Sequence, residues 1–268
     1  MDNRVPDRGT SPLRAMSSRV SIAAALFMST TIQAAEIRVY SGGAPQEALK
    51  VLAPEFERAT GHRLAFTYGV VGEIRKRLGA REKADVILLP VPLMDSMEKA
   101  NAVRPGSRIL LSRVGIGVVV REGDATPDIS TADALRNTLA GAGSIVYPDP
   151  DATPSGKHLA AVLGKLGIAD RVKSNTTVRN AIDGGVALVA SGSVQIGMFL
   201  VSKITPVKGV KLVGLLPSEL QNYVVYAGSV AVDSPAAEPA LAFLKFLTSA
   251  AAEPHWKAAG FEPLGTSR

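Results

Sequence analysis

Four turns in this sequence carry the residue types that bring backbone N–H groups up against a bound anion. Ser41-Gly42-Gly43-Ala44-Pro45 follows a short β-type run; its glycines permit close backbone approach and Pro45 suits a first helical position. Gly69-Val70-Val71-Gly72 follows a second such run. Pro148 to Lys157, with Ser155 and Gly156, reads as the opening of a helix, and Asn175 to Asn180, with Val178 and Arg179, as the opening of another. The free N–H groups and dipole of a helix N-terminus favour negative charge. Any one Gly-rich turn is ordinary turn chemistry. Four of them matter because strand-end turns of an open α/β sheet are where ligands sit. Ser41 and Tyr68 add hydroxyls and Ser155 a hydroxyl that also suits a helix cap. Lys157 and Arg179 add cations that equally suit a solvated surface.

The same residues make a poor catalytic centre. Ser155, Lys157 and His158 fall almost in succession at a helix start, so they do not face one another as nucleophile and base. No Gly-x-Ser-x-Gly elbow or His-Glu-x-x-His pair occurs, and the segment before Lys157 fails as a phosphate loop, with Asp151 in its first glycine position. His62, His158 and His255 are too scattered to hold a metal. The reading is a binding protein without enzymatic activity and without a cofactor.

The elements that must position these turns alternate, as in an α/β sheet. Strands are expected at Ile37–Tyr40, Arg63–Tyr68 and Asp85–Leu89, with helices at Gln46–Thr60, Gly72–Ala80 and Pro92–Ala100 between and after them. The apolar face of the first helix is Ala48, Leu49, Leu52, Ala53 and Phe56. A second set follows: helices at Thr131–Leu139, Ser155–Leu166 and about Val178–Ser191, with strands at Ser144–Tyr147 and Gln195–Leu200. Two stretches, Ile109–Val120 and Asn222–Val232, are β-branched, too long for one strand of ~5 or 6 residues, and interrupted by Gly115, Gly117 and Gly228. They read as two crossings between lobes, with hinges at Ser112–Gly117 and Tyr226–Ser229. The expected organisation is a leader at 1–35, one lobe from 36–112 plus 228–268, and a second lobe, 113–227, inserted between. Each lobe is then a mixed sheet flanked by helices, with no internal sequence repeat.

Composition narrows the partners. The 268 residues are 46% hydrophobic, 5% aromatic and free of cysteine, with a net charge of +6 spread along the chain. That distribution lacks the basic blocks and interleaved aromatics of a nucleic-acid groove and suits a preference for small anions. Arg14 and Arg19 precede the apolar run Val20–Met28, and Ala34-Ala35 offers a cleavage point, the layout of an export signal. Removing it takes away four arginines and two aspartates and leaves +4. The mature chain is expected in the periplasm as a monomer.

Several phrases, in order, resemble the molybdate-binding periplasmic proteins of ABC importers across essentially the whole mature chain. They are Ile37-Arg38-Val39-Tyr40-Ser41-Gly42-Gly43, Phe56-Glu57-Arg58-Ala59-Thr60-Gly61, Lys83-Ala84-Asp85-Val86-Ile87, Pro154-Ser155-Gly156 and Val178-Arg179-Asn180-Ala181. Phe243-Leu244 and Gly260-Phe261 follow near the end. The resemblance implies a two-lobed binding protein, an inner-membrane ABC permease as partner, and a tetrahedral oxyanion held by serine hydroxyls, backbone N–H groups and a tyrosine. This chain departs at the hydroxyls. Ala44 stands where the first serine is expected, Tyr68 to Gly72 replace a serine cluster, and the tyrosine position falls near Leu200. Backbone donors at Ala44, Val71, Ser155 and Val178 remain, and a small organic carboxylate is the alternative ligand to an oxyanion.

Overall fold

A computed structural model describes Met1 and residues 34–80, 82–179 and 184–264. The expected leader falls almost wholly outside the described residues. From Ala34 on, the described residues form two five-stranded sheets.

The first sheet is built from β1 (Glu36–Gly42), β2 (Arg63–Gly69), β3 (Val86–Pro90) and β4 (Ile109–Val114), with α1 (Gln46–Thr60), α2 (Val71–Gly79) and α3 (Val91–Lys99) following the first three. Alternation sorts its core. Ile37, Val39, Val86 and Leu88 pack on one face and Tyr40, Ile87 and Leu89 on the other. The expected apolar stripe of α1 is buried on the first of these faces, each large side chain contributing about 1.5–3 kcal/mol. Asp85, fully buried, ties the N-terminal end together. It accepts from the Arg38 backbone N–H at 2.9 Å, Arg38 Nε at 2.8 Å and Ser234 Oγ at 2.7 Å.

The chain leaves this sheet at Gly115. The second sheet comprises β5 (Ile116–Arg121), β6 (Ile145–Pro148), β7 (Thr176–Arg179), β8 (Ile196–Leu200) and β9 (Val210–Leu215). Its helices are α4 (Ala132–Gly141), α5 (Pro154–Lys165), α6 (Ala169–Val172), α7 (Gly185–Ala190) and α8 (Val201–Ile204). The return brings β10 (Val224–Val230), α9 (Ala237–Leu247) and α10 (Glu253–Ala258) back to the first sheet. The strand orders are β2-β1-β3-β10-β4 and β7-β6-β8-β5-β9. In both, three strands run parallel and a fourth, antiparallel to its neighbours, is inserted before the edge. Each inserted strand arrives directly from the edge strand of the other sheet, so the two halves are topological copies with no matching sequence repeat.

Three expectations need correction. β10 belongs to the first sheet from Val224, so the second crossing is the 216–223 segment and not Tyr226–Ser229, and the inserted lobe ends before 227. Gly228 lies mid-strand; a Cβ there would sit 2.3 Å from Leu244 Cδ2, so it is small to admit α9 and not to bend. The helix expected from Val178 is instead a strand preceded by a 3₁₀ turn at Lys173–Asn175, and helix α7 starts only at Gly185. Thr176, Thr177 and Val178 are β-branched and pair in register with Ile145, Val146 and Tyr147, which explains the preference.

The crossings are fastened side by side. The Gln221 side chain accepts from Ile116 N–H at 3.0 Å and donates to Ile116 C=O at 2.9 Å. Arg113 stacks on the Tyr223 ring at 4.2 Å and pairs with Glu262 at 3.0 Å.

Candidate functional site

A cavity of about 40 Å³ lies between the sheets. Gly43, Ala44, Gly69, Val70, Pro90 and Tyr226 line it from the first lobe. Pro148, Thr153, Ser155, Leu200 and Lys203 are among its residues from the second. A larger groove, about 770 Å³, runs along Arg38, Glu82, Asn101 and Asp233. It involves the first lobe only, and Arg38 is already engaged by Asp85. The interlobe cavity is where strand ends and helix starts of both lobes converge, so the chemistry is sought there.

The starts of α1, α2 and α3 reach it without any side-chain cap. Most of their first-turn N–H groups therefore depend on water or a ligand, although Glu73 N–H in α2 bonds Val70 C=O at 2.9 Å and Pro92 in α3 has no N–H to offer. α5 differs. Thr153 is its N-cap, accepting from Gly156 N–H at 3.0 Å, so Ser155 is not the cap. Ser155 is buried in the first turn and lines the cavity, and its hydroxyl makes no hydrogen bond among the described residues.

The other candidates fall in different places. Gly43 and Ala44 line the cavity. Ser41 is fully buried, and its hydroxyl donates to Gly42 C=O at 2.9 Å. Tyr68 stacks on Phe66 with centroids 5.3 Å apart, and burial pushes its hydroxyl well above the ordinary tyrosine range; its neighbours Gly69 and Val70 face the cavity in its stead. Val71 opens α2 beside Val70. Gly156 is filled in from behind: a Cβ there would meet Pro148 O at 2.3 Å and Asp149 O at 2.5 Å, so its job is to let α5 press on the end of β6. Val178 and Arg179 are exposed residues of β7, and Val178 lies in a groove with Tyr147, Ala160 and Leu163. Lys157 is exposed too, and His158 Nε2 meets Leu220 C=O at 2.8 Å, away from any nucleophile.

Two cavity residues able to bond a ligand through their side chains, Tyr226 and Lys203, were not among the expected ones. Tyr226 stands on β10, buried, in a stretch read as hinge; burial raises its hydroxyl, opposed by the nearby Ala44 backbone. It returns a tyrosine to the site from the opposite lobe to Leu200. Lys203, on α8, reaches across the lobe boundary and donates to Gly43 C=O at 2.5 Å. Desolvation lowers its pKa below the ordinary lysine value; Glu47 works against that and Lys50 with it. Nothing local in Leu200-Val201-Ser202-Lys203 distinguishes this lysine from a solvated one. Among the described residues no group of His, Asp or Glu could hold a metal, and no helix is long and apolar enough to cross a membrane.

Two mixed sheets, paired crossings and a cavity ringed by uncapped helix starts from one lobe and a lysine from the other define a two-lobed solute-binding protein. The chain belongs to the bacterial extracellular solute-binding protein family, whose model matches residues 37–262, and is a divergent, molybdate-binding-like member of it. It is 31% identical to an aconitate isomerase from Pseudomonas sp over 255 residues, covering 91% of this chain and 96% of that one. It is 25% identical to the molybdate-binding protein ModA of Azotobacter vinelandii over 221 residues, 80% of this chain and 85% of that one. The structure of the Azotobacter vinelandii periplasmic molybdate-binding protein superposes with a TM-score of 0.72 at 20% identity, covering 85% of this chain and 99% of that one.

Proposed function

We propose that this chain is the periplasmic capture component of an ABC importer, closing on a small anion between its lobes and presenting the closed form to an inner-membrane permease. The observation that carries the reading is the cavity at which the uncapped starts of α1, α2 and α3 meet Ser155 and Lys203 from the other lobe. Neither lobe alone completes that set of donors, so binding favours closure by the difference between two-lobe and one-lobe contacts. Relatives point to both a molybdate-type oxyanion and a carboxylate, and of the two we take a small organic carboxylate as the reading to test. The cavity offers few hydroxyls, its walls at Ala44, Val70, Pro90 and Pro148 are apolar, and a relative bears the name aconitate isomerase.

That relative supports a second reading, in which the chain interconverts an unsaturated carboxylate instead of delivering it. One experiment separates these. The purified chain is screened by thermal shift against molybdate, tungstate, sulfate, phosphate, citrate, cis-aconitate and trans-aconitate. A ligand at a hundred times its Kd adds about 2.7 kcal/mol of stability. Proton NMR then follows cis-aconitate with the protein over hours. Saturable stabilisation by a carboxylate with a static spectrum supports capture, and interconversion moves the function to the second reading. If no anion stabilises the protein, the small-anion proposal is wrong.

A further inference from the structure

We infer that Lys203 is the specificity-determining residue of this cleft and its latch: the ammonium that bonds Gly43 C=O across the lobe boundary is handed to a carboxylate when the ligand enters. The inference rests on the small-anion reading above and names the group that makes the anion a carboxylate.

The placement of Lys203 is rigid. α8 is a single turn wedged at the lobe junction, with Val201 N–H bonded to Gly115 C=O at 3.0 Å, Ser202 buried and Gly260 of the first lobe packed so tightly that a Cβ there would sit 2.8 Å from Val201 Cγ1. The side chain runs into the cavity. There its head group meets a neutral carbonyl and, among the described residues, no carboxylate within ion-pair distance. The acidic group that acts on it electrostatically, Glu47, is itself paired with Lys50 at 2.7 Å. A desolvated cation satisfied only by a neutral acceptor is incompletely compensated, whereas an anion brought beside it restores the charge balance.

The rest of the wall argues for the class of anion. A tetrahedral oxyanion in a charge-free site needs many neutral N–H and O–H donors. Here Thr153 is spent on its own helix and Ser41 on its own backbone, leaving Ser155 and Tyr226 as hydroxyl sources. One cation in a cleft with few free hydroxyls and apolar walls at Ala44, Val70, Pro90 and Pro148 suits a carboxylate with a carbon skeleton to bury. The cavity, about 40 Å³, has room for roughly three waters at ~10–15 Å³ each, so a carboxylate that takes the Lys203 ammonium does so by displacing Gly43 C=O from it.

The test is calorimetric titration of wild type, K203M and K203R with citrate, succinate, molybdate and sulfate, with thermal melts confirming that each variant folds. The expected result is carboxylate binding in wild type, within tenfold of it in K203R, and weakened about 100-fold in K203M. Small-angle scattering of the ligand-free proteins should also show K203M more open than wild type. If wild type binds a carboxylate and K203M binds it equally well, Lys203 is neither selector nor latch, though the capture reading stands. Preference of wild type for molybdate, unchanged in K203M, overturns the inference in the same way. Absence of binding by wild type to all four anions removes the small-anion reading and this inference with it.

Discussion

Gly156→Ala should be among the most damaging single-methyl additions available in this chain. The new Cβ would lie 2.3 Å from Pro148 O and 2.5 Å from Asp149 O, against the 3.0 Å below which real Cβ contacts essentially never fall. The start of α5 would therefore retreat from β6 by about 0.7 Å, the difference between 3.0 and 2.3 Å. Both clashing partners are backbone oxygens, so no side chain can swing aside, which places the cost near the upper end of overpacking, about 3 kcal/mol. Retreat also strains the Thr153 cap, whose Oγ1 accepts from Gly156 N–H at 3.0 Å, and its loss adds about 1 kcal/mol. Together these lower Tm by roughly 10 °C for a chain of this size. Gly164→Ala is the control. It lies in the same helix with nothing within 4 Å of its Cβ, and there the substitution should stabilise by about 0.5–1 kcal/mol. Urea or thermal unfolding of both variants decides it, and a Gly156→Ala protein that melts with wild type would show that the close approach of α5 to β6 is not as described.

Asp85→Asn should cost about 3 kcal/mol, because it leaves Arg38 facing an uncharged partner inside the first lobe, as a denaturation midpoint would register. Burial works to raise the Asp85 carboxyl, but hydrogen bonds from Arg38 and Ser234 hold it below its ordinary 3.8. Its contribution is thus full above that pH and is lost as pH falls through the depressed value, so acid titration of stability should be flatter in Asp85→Asn over that window. Lys203 runs the other way: with its folded pKa below the ordinary 10.5, the unfolded chain binds more protons in the interval between, and ligand-free stability should rise with pH there. Anion affinity should fall across the same interval as the ammonium is lost. Glu47 and Lys50, the other charges acting on it, are unchanged in K203M, so the wild type minus K203M difference isolates the effect; identical pH profiles for the two would refute it.

Much of the first lobe was legible because its signals are local. The α1 stripe from Ala48 to Phe56 has helical period and is buried as read, and the apolar run Val86 to Leu89 is the buried strand it suggests. Gly115 breaks a β-branched stretch where the chain does change sheets. The second crossing was misread because Val224–Val230 has the same composition as the first, and composition does not say which neighbours a strand will find. Strand β9 passed unnoticed, since its half-exposed residues Val210 to Leu215 show little alternation of burial. The site was legible only as turns. Gly43, Ala44 and Ser155 could be read from glycine, proline and cap chemistry, but Lys203 meets Gly43 across 160 positions of sequence, a proximity that no local pattern encodes.

The interleaved strand order also dictates when each lobe can be completed. All five strands of the second sheet lie within one uninterrupted stretch, 116–215, so that sheet can assemble as soon as its own residues are available. The first sheet cannot. Its strand β10 sits between β3 and β4 and pairs with both, yet it follows the whole second lobe in the chain. Until residues 224–230 arrive, β3 and β4 are left with open edges on either side of a vacant slot. Closing that slot pairs residues more than a hundred positions apart, the kind of contact whose loop-closure entropy slows folding. The first lobe, although synthesised first, should therefore be the last to become native, and the cleft can exist only after it does.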